Sequence, residues 1–323
     1  MPMAKDSRIF VAGHRGMVGS ALCRRLAAAG HSNLVLRPRD TLDLTDQAAV
    51  RAFFAETRPE YVFLAAARAG GIVANDSLPA DFIAINLMIQ TNVIDAAWRA
   101  GARKLMFLGS TCIYPRLAPQ PIPEDALLTG PLEPTNQWYA VAKIAGIKMA
   151  EAYRRQHGFD AVSVMPTNLY GPGDNFDLAG SHVIPALMRK IHAAKLAGTD
   201  EVTLWGSGTP RREFLHVDDL ADACVYLMDT WSDAQFVNIG AGTDQTITEL
   251  ATTIAEIVGW HGRFIYDRSK PDGMPRKLID VTRLTALGWK AKIALRDGLA
   301  QTYAWFRAHE GEVREIPAAR AAE

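Results

Sequence analysis

The sequence of 323 residues has few cysteines and no excess of charge of either sign. Lys plus Arg and Asp plus Glu both number 35, so no global charge favours nucleic acid or an anionic membrane as a partner. The three cysteines, Cys23, Cys112 and Cys224, are too widely spaced for a disulfide framework or a CxxC metal site. No histidine or cysteine pair has metal-ligand spacing either, so the sequence predicts no metal.

Long apolar runs are also missing. No segment approaches about 18 consecutive apolar residues, and the start "MPMAKDSRIFVAG" has no apolar run of signal-peptide length. We therefore expect no membrane partner and a cytoplasmic location. The GxSxG pattern of a serine-hydrolase elbow is absent around Ser110, which argues against that type of nucleophile.

The first half of the chain alternates short apolar runs with longer helical patterns. The runs that read as strands are Arg8 to Ala12, Asn33 to Arg37, Tyr61 to Ala65, Lys104 to Gly109 and Ala161 to Pro166. Helical spacing of apolar residues fills the intervals between them. This βαβ rhythm predicts an α/β fold, a Rossmann-like doubly wound parallel sheet, followed by a smaller mixed α/β C-terminal substrate domain.

A glycine-rich turn follows the first predicted strand. The stretch "VAGHRGMVGSAL" has the spacing GxxGxxG at Gly13, Gly16 and Gly19, and the residues after it open a helix. Glycines there let the backbone approach a pyrophosphate at a helix N-terminus, where unpaired N–H groups favour an anion. The pattern predicts a dinucleotide site; a purely structural turn is the alternative.

The end of the second strand bears on which nicotinamide cofactor is bound. An acidic residue there would bind the adenosine ribose 2′-OH, whereas arginine suits a 2′-phosphate. The stretch "VLRPRDTLDL" has Arg37 and Arg39 at this point, with Asp40 next, and His14 and Arg15 add cationic capacity in the glycine loop. The residues favour NADP(H), with a solvated turn as the alternative.

These observations suggest a division of the chain. We assign residues 1–166 to an NADP-binding Rossmann domain and residues 167–323 mainly to a substrate-binding region. Part of residues 202–240 is expected to return to the first domain.

Tyr139 and Lys143 are four residues apart in a helical pattern, so they lie on one face of a helix. The unperturbed pKa of tyrosine is near 10, and a nearby ammonium would make it a useful acid or base near neutrality. The YxxxK pattern alone is common. Ser110 lies just past the fourth predicted strand, at the carboxyl edge of the sheet, where ligands bind in such folds. Its position supports a catalytic role for Tyr139 and Lys143.

Together these residues resemble the extended short-chain dehydrogenase/reductases, most of which act on nucleotide sugars. The stretches "NLYGPGDN" and "REFLHVDDLADA" resemble later signatures of that family, although Pro166 stands where many members carry an arginine. The blocks "GGIVAN", "GSTCIYP", "SHVIPAL" and "SKPDGMPRKL" are similar to one branch. That branch uses NADPH to epimerise GDP-4-keto-6-deoxy-D-mannose at C3 and C5 and to reduce it at C4.

The resemblance implies a role for each catalytic residue. Tyr139 would protonate the C4 oxygen, Ser110 would hydrogen-bond that oxygen, and Lys143 would hold the nicotinamide ribose and lower the pKa of Tyr139. Cys112 would be the base and His182 the acid of the epimerisations. From the residues alone, a lone cysteine beside a strand end, such as Cys112, is usually a small buried hydrophobe, and His182 could equally be a residue at a helix start.

The resemblance also implies the binding residues. Those expected to contact the cofactor are Gly13, His14, Arg15, Gly16, Met17, Val18, Gly19, Arg39, Asp40, Leu108, Gly109, Lys143, Pro166, Asn168, Leu169 and His182. Those expected to contact the GDP-sugar substrate are Lys190, Trp205, Arg212 and Asp272. His216 precedes a helix start and is expected to be structural. A homodimer is expected through the helices around Ala80 to Ala100 and Trp138 to His157.

Two other functions stay open on the sequence. The chain could be a 4-keto reductase or an epimerase for another nucleotide sugar, because no residue considered above specifies guanine. It could also be a non-catalytic NADP-binding sensor or scaffold of the same fold.

Overall fold

A parallel β-sheet flanked by helices dominates the computed structural model, which describes residues 2–177, 180–270 and 272–311. The elements of the first half, in chain order, are β1 (Ile9–Ala12), α1 (Met17–Ala28), β2 (Leu34–Val35), α2 (Gln47–Thr57), β3 (Tyr61–Leu64), α3 (Ile72–Ser77), α4 (Pro79–Arg99), β4 (Lys104–Leu108), α5 (Gln137–His157) and β5 (Asp160–Pro166). The elements that follow are β6 (Asn168–Tyr170), α6 (Val183–Ala197), β7 (Glu201–Trp205), β8 (Arg211–His216), α7 (Val217–Thr230), β9 (Val237–Ile239), β10 (Asp244–Thr246), α8 (Ile247–Val258), β11 (Arg263–Asp267), β12 (Arg276–Lys277), α9 (Thr282–Ala286) and α10 (Leu295–Ala308).

Within the described residues, the central sheet has six parallel strands in the order β2-β1-β3-β4-β5-β9. Alternate residues of each strand enter two apolar layers, one on each face: in β1, Phe10 and Ala12 join one layer, whereas Ile9 and Val11 join the other. A parallel sheet covered on both faces needs such continuously apolar strands. The predicted Rossmann-like α/β fold is confirmed.

The predicted strands are all present, with small differences at their ends. The largest difference is β2, which spans only Leu34–Val35 because it is an edge strand that pairs with β1 alone, at Ile9 and Phe10. Its end nevertheless lies near the glycine turn that follows β1.

The later elements form a smaller unit beside this sheet. Strand β8 pairs with β6, β10 and β12, and β7 pairs with β11. Helices α6, α8 and α10 contribute to a third apolar cluster, which includes Ile191, Leu250 and Phe306.

Strand β9 belongs to the range 202–240 and pairs with β5 in the central sheet. The division between residues 166 and 167 stays a prediction, and residues 312–323 lie outside the described residues.

No helix in the described part of the chain is long and apolar enough to cross a membrane.

Candidate active site

The glycine turn leaves the start of α1 open. Gly13 has a φ of +83°, and a Cβ on Gly19 would lie 2.1 Å from the Gly13 carbonyl oxygen, so neither position accommodates a side chain without rearrangement. Gly16 is the N-cap of α1 and offers no side chain to cap the helix. The first N–H groups of α1 therefore remain available to an anion, which fits the diphosphate of a dinucleotide.

The two arginines at the end of β2 are both exposed. The Arg39 guanidinium makes only a long contact with Asp43, at 3.9 Å, and Arg37 lies 5.7 Å from the centroid of the Phe53 ring. Asp40 is exposed as well. The predicted 2′-phosphate site thus presents two exposed cations at the surface, one of which, Arg37, donates a hydrogen bond to the Leu36 carbonyl at 3.0 Å, and this arrangement fits NADP(H).

The other predicted cofactor residues of this loop lie at the same turn. The Nδ1 atom of His14 is buried without a hydrogen-bond partner among the described residues. Burial, followed by the charge of Arg15, lowers the pKa of His14, so this histidine is neutral. Met17 and Val18, in the first turn of α1, are partly buried against the core.

Ser110 and Cys112 follow β4 in a tight turn. Ser110 is the N-cap of a short 3₁₀ helix, Thr111–Ile113, and its Oγ accepts a weak hydrogen bond from the Cys112 backbone N–H at 3.4 Å. Cys112 is 8% exposed. Ser110 and Cys112, both predicted to take part in catalysis, are therefore neighbours at the carboxyl edge of the sheet.

Lys143 connects the helix of Tyr139 to that same edge. Its Nζ donates a hydrogen bond to the Leu108 carbonyl at 2.7 Å. The ammonium also lies 4.8 Å from the centroid of the Phe107 ring and 5.7 Å from that of the Tyr139 ring. Tyr139 and Lys143 thus share one helix face, as predicted, and that face is directed at the end of β4.

The local pKa values differ from those that the resemblance implies. Burial, followed by the charge of Cys112, raises the pKa of Tyr139, and burial lowers the pKa of Lys143 to about 8. Both causes of the Tyr139 shift act in the same direction, so the pKa of its phenol is raised and not lowered. A phenol that stays protonated near neutrality can still donate a proton.

Cys112 and His182 have opposite shifts from the same surroundings. Burial is the largest cause in both cases: it raises the pKa of the Cys112 thiol and lowers that of His182. His182 is the N-cap of α6, and its exposure to solvent limits the effect of burial on its pKa. The charge of Lys277 lowers both pKa values.

Lys277 was not among the predicted site residues. The block "SKPDGMPRKL" contains it, but nothing in the local pattern indicates that β12 carries this lysine toward Cys112 and His182. The pairing of β12 with β8 places Lys277 opposite Arg212, one of the predicted substrate residues.

The cofactor residues predicted around the end of β5 are well packed. Gly109 N–H donates to the Val164 carbonyl at 2.8 Å, and a Cβ on Gly109 would lie 2.3 Å from the Met165 sulfur. The Met165 side chain on the neighbouring strand therefore already favours glycine at this position. Pro166 is the last residue of β5, and the Asn168 amide donates to the Glu213 carbonyl at 2.8 Å.

Leu169, in the middle of β6, pairs with Leu215 of β8 and is partly buried against the core.

Contacts join the four predicted substrate residues in two pairs, Lys190 with Trp205 and Arg212 with Asp272. The Lys190 ammonium is 5.1 Å from the centroid of the Trp205 ring, and Trp205 is 52% exposed. The Asp272 carboxylate accepts hydrogen bonds from the Ser207 N–H at 2.7 Å and from its hydroxyl at 2.8 Å. Arg212 donates to the Asp272 carbonyl at 3.3 Å. Asp272 is thus engaged by Ser207, and a second ammonium, that of Lys270, lies 5.4 Å from the centroid of the Trp205 ring.

The burial of His216 agrees with its expected structural role, and Cys224 is buried as well. His216 is fully buried, and its Nδ1 accepts a hydrogen bond from the Asp218 N–H at the start of α7. Cys224 is buried within α7. Among the described residues, no group of three or more His, Cys, Asp or Glu side chains could hold a metal ion.

Residues 9–240 match the protein-family model described as the NAD dependent epimerase/dehydratase family. This range contains the glycine turn, Ser110, Tyr139 and Lys143 in the geometry described above. The chain belongs to the NAD-dependent epimerase/dehydratase family.

Individual members of this family are similar over almost the whole chain. A putative GDP-L-fucose synthase 2 of Arabidopsis thaliana is 62% identical over 304 residues, covering 94% of this chain and 93% of the relative. GDP-L-fucose synthase of Escherichia coli is 56% identical, covering 95% and 98%. The solved structure of a Campylobacter jejuni GDP-mannoheptose C4 reductase with NADP bound has a TM-score of 0.87 and 40% identity, covering 94% of this chain and 99% of the other.

Proposed function

We propose that this chain catalyses the NADPH-dependent conversion of GDP-4-keto-6-deoxy-D-mannose to GDP-L-fucose, by epimerisation at C3 and C5 and reduction at C4. The observation that carries this proposal is the joint presence of two catalytic sets in one cleft. Ser110, Tyr139 and Lys143 suit a reductase, and Cys112, two residues beyond Ser110, adds the group that an epimerase needs. The GDP-L-fucose synthases at 56% and 62% identity support the same reaction.

The residues of this chain fit NADP(H) as the cofactor. The open start of α1 would hold the diphosphate, and Arg37 and Arg39 would pair with the 2′-phosphate. Lys143, fixed by the Leu108 carbonyl, would contact the nicotinamide ribose. NADPH supplies the hydride that reduces C4. The NADP-bound structure of the Campylobacter relative supports this choice.

Reduction at C4 needs a proton donor for the carbonyl oxygen. Tyr139 is suited to this role because burial keeps its phenol protonated near neutrality. The Ser110 hydroxyl would donate a second hydrogen bond to the same oxygen, which stabilises the developing negative charge.

Epimerisation needs one group that removes a proton from carbon and another that returns one to the opposite face. C3 and C5 are both adjacent to the 4-keto group, so removal of their protons gives an enolate that Tyr139 and Ser110 can stabilise. Cys112 as thiolate would take the proton, and His182 as imidazolium would deliver one. Their unperturbed pKa values, near 8.5 and 6.5, lie within reach of neutral pH, and burial in this structure raises the first and lowers the second. The two proton transfers need no covalent intermediate.

Solvent isotope incorporation tests the epimerase part directly. The enzyme is incubated with NADPH and GDP-4-keto-6-deoxy-D-mannose in deuterated water, and the product is analysed by NMR. We expect deuterium at C3 and C5 and one NADPH consumed for each product molecule. A reduced product with no deuterium at either carbon contradicts the proposal.

A 4-keto reductase for another GDP-sugar is the second candidate. It is favoured by the likeness to the Campylobacter GDP-mannoheptose C4 reductase. Initial rates with GDP-, UDP- and dTDP-linked 4-keto sugars separate the two, since a simple reductase would consume NADPH without exchange at C3 and C5. Stoichiometric NADPH consumption also argues against a non-catalytic sensor or scaffold.

We also propose that the chain forms a homodimer through α4 and α5. Met88 on α4 and Trp138 and Val141 on α5 are each 42% exposed, an unusual state for large apolar side chains on two adjacent helices. Sedimentation velocity tests this, with the double variant Met88→Glu, Val141→Glu expected to sediment as a monomer. A cytoplasmic location stays a prediction.

A further inference from the structure

The segment between β3 and α3 ends in two adjacent glycines, Gly70 and Gly71, which lie against two other parts of the chain. A Cβ on Gly70 would lie 3.2 Å from the ring of Phe82 on α4. A Cβ on Gly71 would lie 2.9 Å from the Ser181 carbonyl oxygen. At Gly71 even one methyl group would therefore force the two segments apart, and glycine is the residue that permits this close approach.

Each side of this glycine turn leads to a residue of the candidate active site. On one side, the Phe82 ring packs edge-on against the Tyr139 ring, with 6.2 Å between the centroids. On the other side, the Gly71 N–H donates a hydrogen bond to the Gly180 carbonyl at 3.2 Å, and His182 follows two residues later at the start of α6. The turn thus lies between the helix that carries the acid proposed for reduction and the segment that carries the acid proposed for epimerisation.

One buried amide fixes the shape of the turn. Asn75 of α3 is 5% exposed, and its Nδ2 donates hydrogen bonds to the Gly70 carbonyl at 2.8 Å and to the Gly71 carbonyl at 3.0 Å. These bonds use both hydrogens of the amide. Because a buried donor without an acceptor is costly, the Asn75 side chain and the two carbonyls hold each other in place.

The peptide group that joins the two glycines is bonded at both of its ends. Its carbonyl oxygen, that of Gly70, accepts from Asn75, and its N–H, that of Gly71, donates to the Gly180 carbonyl. Hydrogen bonds arranged in such a chain polarise one another. The Asn75 amide is therefore coupled through a single peptide group to the segment that leads into His182.

The start of the same segment is fixed separately. The Asn86 side chain of α4 accepts a hydrogen bond from the Arg68 N–H at 2.9 Å and donates one to the Arg68 carbonyl at 3.0 Å. Loss of the Asn75 amide would therefore release the glycine turn while Arg68 stays attached to α4.

We propose that Asn75 is a positioning residue that keeps His182 in the place from which it returns a proton to the sugar. The proposal rests on the proposed function, which assigns His182 as the acid of the epimerisations. Asn75 acts through the Gly71 N–H and the Gly180 carbonyl, and α6 begins directly after that contact.

Loss of this contact has a consequence that general structural damage does not. When His182 is displaced, the Cys112 thiol that took the proton returns one to the face from which it came. In deuterated water the thiol first exchanges its hydrogen with solvent, so the carbon gains deuterium without inversion. Hydride from NADPH and a proton from Tyr139 then reduce C4 of a sugar that keeps its original configuration. General damage would instead lower all products to the same extent.

The deuterium experiment is repeated with full-length Asn75→Asp and Asn75→Leu at about pH 8, where an aspartate is ionised and donates no hydrogen bond. Both replacements are close to asparagine in size. NMR of the product gives the ratio of sugar inverted at C3 and C5 to sugar that carries deuterium without inversion. We expect this ratio to fall by about 10-fold or more in both variants, since small displacements of a catalytic group have effects of this order. NADPH oxidation should change much less.

A second measurement needs no sugar nucleotide. Hydrogen exchange of the Gly71 N–H reports its bond to Gly180, and the NMR signals of the His182 ring, assigned with His182→Asn, report the surroundings of that ring. We expect faster exchange and shifted ring signals in both Asn75 variants. This measurement is independent of the reaction, whereas an original enzyme that incorporates no deuterium would overturn the proposed function.

Two further variants test the path of the effect. Gly71→Ala places a methyl group against the Ser181 carbonyl, so it should break the same contact and lower the ratio as Asn75→Leu does. Asn33→Asp removes an exposed amide that donates to the Asp6 carbonyl at 3.2 Å, and it should leave the ratio unchanged.

The outcomes that overturn the proposal are specific. One is an unchanged product ratio, or an unchanged exchange rate of the Gly71 N–H, in both Asn75→Asp and Asn75→Leu. The other is an equal loss of inversion and reduction in both variants, which would show general damage. NADPH binding checks that each protein is folded.

Discussion

The Lys143 ammonium donates a hydrogen bond to the Leu108 carbonyl at 2.7 Å. Leu108 is the last residue of β4, and Ser110 and Cys112 follow it directly. This bond therefore joins the helix that carries Tyr139 to the turn that carries the other two groups. Together with the packing of Lys143 over the Phe107 ring, this contact sets the relative positions of the reductase residues and of the thiol.

Replacement of Tyr139 by phenylalanine separates reduction from exchange. The variant keeps the ring that packs edge-on against Phe82, at 6.2 Å between centroids, but it has no proton for the C4 oxygen. We expect NADPH oxidation to fall by about 10²- to 10⁴-fold while part of the exchange at C3 and C5 remains. NADPH absorbance and mass spectrometry of the sugar measure the two. Full reduction by the variant would show that Tyr139 is not the acid.

Replacement of Cys112 by serine should have the opposite effect on exchange. Serine has nearly the same size, so the fold is retained, but its hydroxyl is far too weak an acid to act as a base near neutrality. We expect deuterium incorporation to fall by about 10²- to 10⁴-fold. Cys23→Ser, on α1, is the matched control and should keep normal exchange. If Cys112→Ser exchanged at the normal rate, the base would have to be another group.

The double variant Arg37→Ala, Arg39→Ala tests the choice of cofactor. Both side chains are exposed and weakly engaged, so their loss should not affect the fold. We expect the preference for NADPH over NADH, measured as the ratio of kcat/KM values, to fall by about 10-fold or more. Arg296→Ala, an exposed arginine on α10, should leave the ratio unchanged. An unaltered ratio in the double variant would place the 2′-phosphate elsewhere.

Asp174 makes stability depend on pH. Burial raises the pKa of its carboxyl to about 7, and its Oδ2 has no hydrogen-bond partner among the described residues. Because the folded state holds this proton more tightly than the unfolded state, the stabilisation is complete below about pH 4 and is lost as pH rises to about 7.

Asp174→Asn removes this dependence. Relative to the original protein, we expect its free energy of unfolding to be higher by about 2 kcal/mol near pH 8, with little gain near pH 4. Urea unfolding at the two pH values measures the difference. The control is Asp6→Asn, an exposed carboxyl that should give no pH-dependent gain. An equal effect of Asp174→Asn at both pH values would contradict the assigned titration.

Several features of the site could be predicted because they depend on residues close in sequence. Local sequence patterns, read with the periods of the helix and the strand, indicate three of them. These are the GxxGxxG turn, the four-residue spacing of Tyr139 and Lys143, and the position of Ser110 after an apolar run. The fold class followed from the same periods, since the βαβ order allows few topologies.

Other features could not be predicted. Lys277 is 165 positions from Cys112 in the numbering of the chain, so no local pattern indicates that its charge lowers the pKa of the thiol. The rise in the Tyr139 pKa could not be predicted either, because the YxxxK spacing places a lysine nearby but does not show that the phenol is buried.

Local patterns along the chain were thus sufficient for the Rossmann-like sheet, the dinucleotide turn and the identity of most candidate catalytic residues. The protonation preferences of Tyr139, Cys112 and His182, and the entry of Lys277 into their surroundings, were settled by packing between distant segments. The physical reason is that secondary structure follows periods of two to four residues, whereas desolvation and Coulomb interactions depend on distances in space.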